Sequence, residues 1–328
     1  MTRTAMPFSL ADLEDAAALV RSVVPATPQY AWPLLAERTG AEVWVKHEHH
    51  TPIGAFKVRG GIVYMDLLKR SGTGVSGVVT ATRGNHGQSI ALAGKRAGVP
   101  VTIIIPRGNS AEKNAAMAGF GAELIVHGRD FDEAKERAMQ LAGERGLTYA
   151  PSFDPLLVKG VATYALEFFR AVPGLHTVYV PIGMGSGICG LIAVRDLLGL
   201  GTQIVGVVAA AAPAVALSIE AGHPVPTNSA ATFADGLACR DPHPEALAVV
   251  ARGAARIVRV TEDEIAAAIR LFWAATHNVA EGAGAAALAA LMQERHRMQG
   301  KRVGLICSGG NMDTDVLRTV LEGNTPAV

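Results

Sequence analysis

The sequence predicts an α/β protein built on parallel sheets, and three observations carry that expectation. Short β-branched runs alternate with longer amphipathic stretches from Ala41 onward. The runs are apolar at nearly every position, as suits strands covered on both faces, and the stretches between them open on capping residues. At 328 residues the chain is long for one domain and short for two large ones, so two half-size lobes are expected.

Strands are expected at Glu42 to Val45, Gly77 to Thr80, Val101 to Ile105, Leu124 to Val126, Val178 to Pro181, Ile204 to Val208, Ile257 to Val260 and Val303 to Ile306. In Val101-Thr102-Ile103-Ile104-Ile105 every residue is apolar or β-branched, which a strand open to water on one face would not be. Helices are expected over Val58 to Leu68 and Ser89 to Ala97. Two more follow caps: Asp130 with Glu133, and Thr261 with Glu264 ahead of Ile265-Ala266-Ala267-Ala268-Ile269. The Ala-rich pieces Ala209 to Ala212 and Ala283 to Ala290 read as helix-forming, closely packed segments. Two prolines in Tyr149-Ala150-Pro151-Ser152-Phe153-Asp154-Pro155 mark the lobe boundary.

Lys plus Arg number 30 against 29 Asp plus Glu, a formal charge of +1, so neither a nucleic acid nor a membrane surface is an expected partner. The most apolar stretch, Ile204 to Ile219, contains Pro213 and is shorter than the roughly 20 residues a spanning helix needs. Met1 to Asp15 carries Asp12, Glu14 and Asp15 and shows no secretory pattern, which makes the cytoplasm the expected location. Cys189, Cys239 and Cys307 are widely spaced and read as small buried apolar residues.

Four segments could carry chemistry. In Gly54-Ala55-Phe56-Lys57-Val58-Arg59-Gly60-Gly61, Lys57 is either a solvated surface lysine or an amine whose pKa is lowered by a helix start and apolar neighbours, ready to form an imine. Thr82-Arg83-Gly84-Asn85-His86-Gly87-Gln88 follows a strand, where parallel sheets collect ligands. It is either a carboxylate-binding helix start or a polar loop capped by Asn85. Pro181-Ile182-Gly183-Met184-Gly185-Ser186-Gly187-Ile188-Cys189-Gly190 suits a phosphate held by backbone N–H groups. Gly185, Gly187 and Gly190 also match a dinucleotide fingerprint, but the next strand ends Val207-Val208-Ala209-Ala210 with no carboxylate for a ribose. The fourth is Cys307-Ser308-Gly309-Gly310-Asn311, with Glu281-Gly282-Ala283-Gly284 upstream. His47-Glu48-His49-His50 lacks the helical spacing of zinc hydrolases, and adjacent strand residues face opposite ways, so no metal role is expected there.

Taken in order, Gly54 to Gly60, Gly84 to Gln88, Gly183 to Gly187 and Ser308 to Asn311 resemble the pyridoxal-phosphate enzymes of fold type II, most closely the threonine dehydratase and serine racemase group. The resemblance runs from about Leu10 to Leu321. It implies a two-domain architecture, each domain a largely parallel twisted sheet flanked by helices. Residues 1–52 plus 151–328 would form the large cofactor-binding domain and residues 53–150 a small inserted one, with the cofactor in the cleft. It further implies that Lys57 forms the Schiff base with pyridoxal 5'-phosphate, that Phe56 packs beside the ring and that Asn85 bonds the phenolic oxygen. Gly183, Met184, Gly185, Ser186 and Gly187 would hold the phosphate, Ser308 would face the pyridine nitrogen, and Glu281 would lie near the cofactor. A hydroxyl at that nitrogen moderates the electron sink and favours β-elimination. Thr82, Arg83, Gly84, Asn85 and His86 would take the substrate α-carboxylate, and the freed Lys57 amine would be the general base.

The implied activity is that of a carbon–oxygen lyase, an ammonia-lyase converting a β-hydroxy amino acid, threonine- or serine-like or phenylserine, to a 2-oxo acid and ammonia. The relatives imply a homodimer or homotetramer. Arg83 replaces the small residue many relatives carry before Gly-Asn-His. A guanidinium is a poor acid/base, which counts against the alternative of an amino-acid racemase. Turned inward it could bind a second carboxylate, giving a 3-hydroxyaspartate ammonia-lyase as the other alternative. Val208 and Ala209 offer no side-chain oxygen where some relatives hold a cation. The chain runs on only briefly past the last motif, so neither a C-terminal regulatory domain nor feedback control by isoleucine or valine is expected.

Overall fold

The computed structural model describes residues 6–72 and 74–328; Met1 to Ala5 of the N-terminal stretch lie outside the described residues. The strands are β1 (Gln29–Ala31), β2 (Glu42–His47), β3 (Val78–Ala81), β4 (Val101–Ile105), β5 (Glu123–Val126), β6 (Thr148–Tyr149), β7 (Thr177–Pro181), β8 (Gln203–Ala209), β9 (Arg256–Val260) and β10 (Arg302–Cys307). They form a six-stranded sheet in the order β1-β2-β10-β7-β8-β9 and a four-stranded sheet in the order β5-β4-β3-β6. The chain leaves the larger sheet after β2, builds the smaller one, and returns at β7.

The parallel character read from the runs holds for every strand pairing except the short β1, which pairs antiparallel with β2. β3 and β4 are buried at all positions, as two-sided helix cover requires. Helix Gly282–Glu294 buries its whole Ala-rich run beneath the larger sheet, so small side chains there allow close approach. Ala209 to Ala212 differs from the expectation. Ala209 ends β8, and Ala210 and Ala211 are exposed in a turn that Pro213 hands on to helix Ala214–Ala221.

Both expected caps are present, one in altered form. Thr261 and Glu264 make a reciprocal capping box. Asp130 accepts from Asp132 and Glu133 N–H, but the Glu133 carboxylate reaches past it to the Arg129 N–H at 2.8 Å. The three cysteines are free and buried. Among the described residues no helix is long and apolar enough to cross a membrane.

The alternation assumed for His47-Glu48-His49-His50 stops where β2 stops. The His50 N–H donates to the His47 carbonyl at 3.1 Å, and this turn brings the three imidazoles to one side.

Candidate active site

Lys57 is the first residue of helix Lys57–Arg70, and the surrounding glycines explain how that helix is held. A Cβ on Gly60 would lie 2.8 Å from the Leu157 carbonyl oxygen, and one on Gly61 2.3 Å from the Ser89 hydroxyl. The helix is thus wedged between helix Pro155–Ala171 and helix Asn85–Ala97, with backbones too close for any side chain. Ser89 Oγ donates to the Lys57 carbonyl at 2.6 Å, tying the helix start to the Asn85 helix. The Lys57 ammonium stands 5.3 Å from the Phe56 ring centroid.

The four motifs converge on one cavity of about 410 Å³, within the usual range for small-molecule sites. Its walls include Phe56, Lys57, Thr82, Arg83, Gly84, Asn85, His86, Gly183, Met184, Gly185, Ser186, Gly187, Glu281 and Ser308. Every site residue expected from the sequence therefore faces one space. Gly185 has φ of +98° and caps helix Ser186–Leu197, so that the free N–H groups of a helix start open on the cavity. A Cβ on Gly183 would meet the Gly236 carbonyl oxygen at 2.2 Å. Gly190 belongs to packing, since a Cβ there would press on Ala162 at 3.1 Å. The dinucleotide fingerprint is accounted for by helix contact.

Asn85 is not a side-chain cap. It opens helix Asn85–Ala97 after Gly84, and its amide is held in a network. Its Nδ2 donates to Glu281 Oε1 at 2.8 Å, and its Oδ1 accepts from Asn311 Nδ2 at 2.7 Å. His86 is buried against Thr80, 3.1 Å from its hydroxyl, and burial followed by the Lys57 charge lowers its pKa to about 3. It is neutral and supports the loop. Burial lowers Lys57 to about 8, opposed by the charge of Glu281. Burial raises Glu281 to about 7, with Asp235 adding to the rise and Lys113 and Asn85 opposing it. A low-pKa amine faces a carboxyl poised near neutrality, a pairing suited to moving protons.

Arg83 turns toward the cleft but is already partnered: its Nη2 lies 3.2 Å from Asp235 Oδ1, and Lys113 Nζ lies 2.6 Å from Asp235 Oδ2. Sequence reasoning missed Lys113 and Asp235, which lie in segments with no motif spacing and meet only when the two sheets face each other. It also missed a buried ion cluster behind Lys57. Arg59 donates to Glu48 (2.8 Å) and Glu167 (2.8 Å), and Lys46 donates to Glu167 (2.8 Å) and the Thr27 carbonyl (2.8 Å). Arg59, Lys46 and Glu48 are fully buried. The signal available was charge at strand and helix positions otherwise expected to face a core.

The residues fit pyridoxal phosphate on their own geometry, with a desolvated primary amine in the same cavity as a helix start whose Gly183 and Gly185 have no room for a Cβ. The comparisons with known proteins agree. Residues 20–309 match the family described as pyridoxal-phosphate dependent enzyme. The chain is 34% identical over 319 residues to an L-threonine ammonia-lyase of Geobacter sulfurreducens, covering 97% of this chain and 78% of that protein. It is 31% identical over 316 residues to an L-threo-3-hydroxyaspartate ammonia-lyase of Saccharomyces cerevisiae, covering 95% and 96%. The processed form of threonine deaminase isoform 2 from Solanum lycopersicum superposes with a TM-score of 0.87 at 30% identity, covering 98% and 96%.

The chain belongs to the family of pyridoxal-phosphate dependent enzymes. Within that family it falls in the threonine dehydratase group and is a pyridoxal-phosphate-dependent ammonia-lyase.

Proposed function

We propose that the chain eliminates water from a neutral β-hydroxy amino acid of the threonine or serine type, giving a 2-oxo acid and ammonia. The observation that carries the choice of a neutral substrate is the Arg83–Asp235 pair, since Arg83 would have to give up this contact to bind a second substrate carboxylate. We also propose a division into residues 1–52 plus 151–328 and residues 53–150, with the site in the cleft between them.

Pyridoxal phosphate, when bound, supplies an electron sink for the bond being broken at the substrate Cα. Lys57 would anchor it, and its amine, with a pKa lowered by burial to about 8, would take the Cα proton in its unprotonated form. Backbone N–H groups of Gly183 to Gly187 at the start of helix Ser186–Leu197 hold the phosphate. The start of helix Asn85–Ala97, with Thr82 to His86, would receive the α-carboxylate, and Asn85, its amide held by Asn311 and Glu281, would bond the cofactor's phenolic oxygen. Ser308 would offer a hydroxyl to the pyridine nitrogen and Phe56 would pack at the ring, since both line the cavity.

The test incubates the cofactor-loaded protein with L-threonine, L-serine, phenylserine and 3-hydroxyaspartate while keto acid, ammonia and substrate chirality are followed. Keto acid from the neutral substrates is expected, with loss of activity and of the Schiff-base absorbance in Lys57→Ala. A higher kcat/KM on 3-hydroxyaspartate than on threonine would overturn the neutral-substrate reading, and enantiomer exchange without keto acid would overturn the lyase.

A further inference from the structure

The turn after β2 holds a second constellation outside the active-site cavity, since none of its histidines lines that space. His47, His49 and His50 each present a ring nitrogen, and the three nitrogens lie within 4.8 Å of one another. We propose that these histidines bind one divalent transition-metal ion of the zinc class, with Asn278 orienting two of the rings.

The hydrogen bonds fix the tautomers. Asn278 Nδ2 donates to the Thr276 carbonyl at 2.8 Å, so its Oδ1 is the acceptor facing His49 Nε2 (3.3 Å) and His50 Nε2 (2.8 Å). Both rings therefore carry their proton on Nε2, and each keeps a lone pair on Nδ1. The His49 Nδ1 is buried without a partner. A histidine whose second nitrogen donates to a fixed oxygen is the arrangement that orients metal ligands. The oxygen here is held by the turn at His277, which has φ of +53° at the end of helix Glu262–Thr276.

His47 supplies the independent observation. It is fully buried, its Nε2 accepts from the Trp32 indole N–H at 3.0 Å, and its Nδ1 has no partner at all. An indole nitrogen can only donate, so Nδ1 bears an orphaned proton, a costly state for a buried group. Metal binding at Nδ1 moves that proton to Nε2 with no net proton gained or lost, and the Trp32 indole N–H, which then loses its acceptor, must turn away from the ring. Imidazole ligands select zinc-like ions, whose bonds of about 2.0–2.1 Å leave a fourth position for water. The rings must close by up to about an ångström and a half, and exposed His50 is free to make that movement. The site would also buttress the cofactor-facing loop, since a Cβ on Gly310 would lie 3.3 Å from that of His49.

The experiment titrates Co(II), then competing Zn(II), into tag-free, chelator-treated, cofactor-loaded protein, following visible ligand-field bands and tryptophan emission. One ion per chain with four-coordinate bands and an emission change are expected. His50→Ala and His49→Gln should lose the bands while retaining the cofactor absorbance that reports folding. Asn278→Ala should weaken binding about tenfold. Trp32→Phe should keep the bands and lose the emission change. Absence of bands in the wild type, or bands unaltered in His50→Ala and His49→Gln, would overturn the proposal and leave the His47–His50 contact, stacked at 5.2 Å and 23°, as ring packing alone.

Discussion

Glu167→Gln is the most informative perturbation of the scaffold, because it removes one charge and little else from the cluster behind Lys57. Two cations, Lys46 and Arg59, face two anions, Glu48 and Glu167, at 2.8 Å for three of the contacts, and none has more than 8% of its side chain exposed. Burial alone would neutralise these groups, yet Arg59 is raised by Glu48 and Glu167, and Glu167 is lowered by Arg59 and Lys46 despite its burial. The cluster is balanced at zero, and the amide leaves one uncompensated buried cation. Breaking such a pair costs about 3–5 kcal/mol, against a total domain stability of about 5–15 kcal/mol. Denaturant unfolding of the cofactor-loaded protein measures the loss. The double variant Lys46→Met/Glu167→Leu removes one charge of each sign and should recover most of it, since apolar replacement of a complete pair is often neutral. A loss below about 1 kcal/mol in Glu167→Gln, or a double variant no better than the single one, would refute the claim that charge balance holds this cluster.

Other consequences are more local. The folded chain holds a proton on Glu281 between its ordinary 4.5 and about 7, so this group's contribution to apoprotein stability is fully present below pH 4.5 and is lost as pH rises through 7. The pH dependence of unfolding should show about 3 kcal/mol of this fall, and Glu281→Gln should flatten it. Asp235→Asn frees Arg83 and Lys113, so kcat/KM for 3-hydroxyaspartate should rise about 10- to 100-fold, the worth of a charge-assisted hydrogen bond, while that for threonine changes little. Gly183→Ala places a Cβ against the Gly236 carbonyl and should weaken cofactor retention, read as a raised dissociation constant by absorbance titration.

The motifs were legible because each is local: a glycine pattern records where backbone must approach backbone or anion, and a β-branched run records burial on both faces. They marked part of the cavity wall and eight of the ten strands among the described residues, missing the three-residue β1 and two-residue β6, which carry too few positions to show a period. What lay outside a single segment stayed hidden. The Asn85–Glu281 bond joins residues 196 positions apart, and the Lys113–Asp235 pair joins residues 122 apart. Asn85 could be read equally as a cap until its partners were seen. Likewise Ala209 to Ala212 has helical composition, but the parallel pairing of β8 with β9 outweighs it: Val208 and Ala209 stand opposite Arg259 and Val260.

The hidden interactions are also those that give the legible motif its meaning. Lys57 and Arg59 lie on one turn, two residues apart, and so point to opposite sides of their helix. Lys57 enters the cleft, while Arg59 is clamped by Glu48 on the turn after β2 and Glu167 on helix Pro155–Ala171. The clamp fixes rotation of the helix about its axis, and the glycine contacts at Gly60 and Gly61 fix its distance from the neighbouring helices. Neither alone would set the position of the Lys57 amine. Arg59 needs its planar fork for this, since it donates through three nitrogens to two carboxylates and two hydroxyls. A lysine there, with one compact ammonium on a flexible stem, would keep the charge balance and still lose the rotational lock, separating the electrostatic part of the cluster from its geometric one.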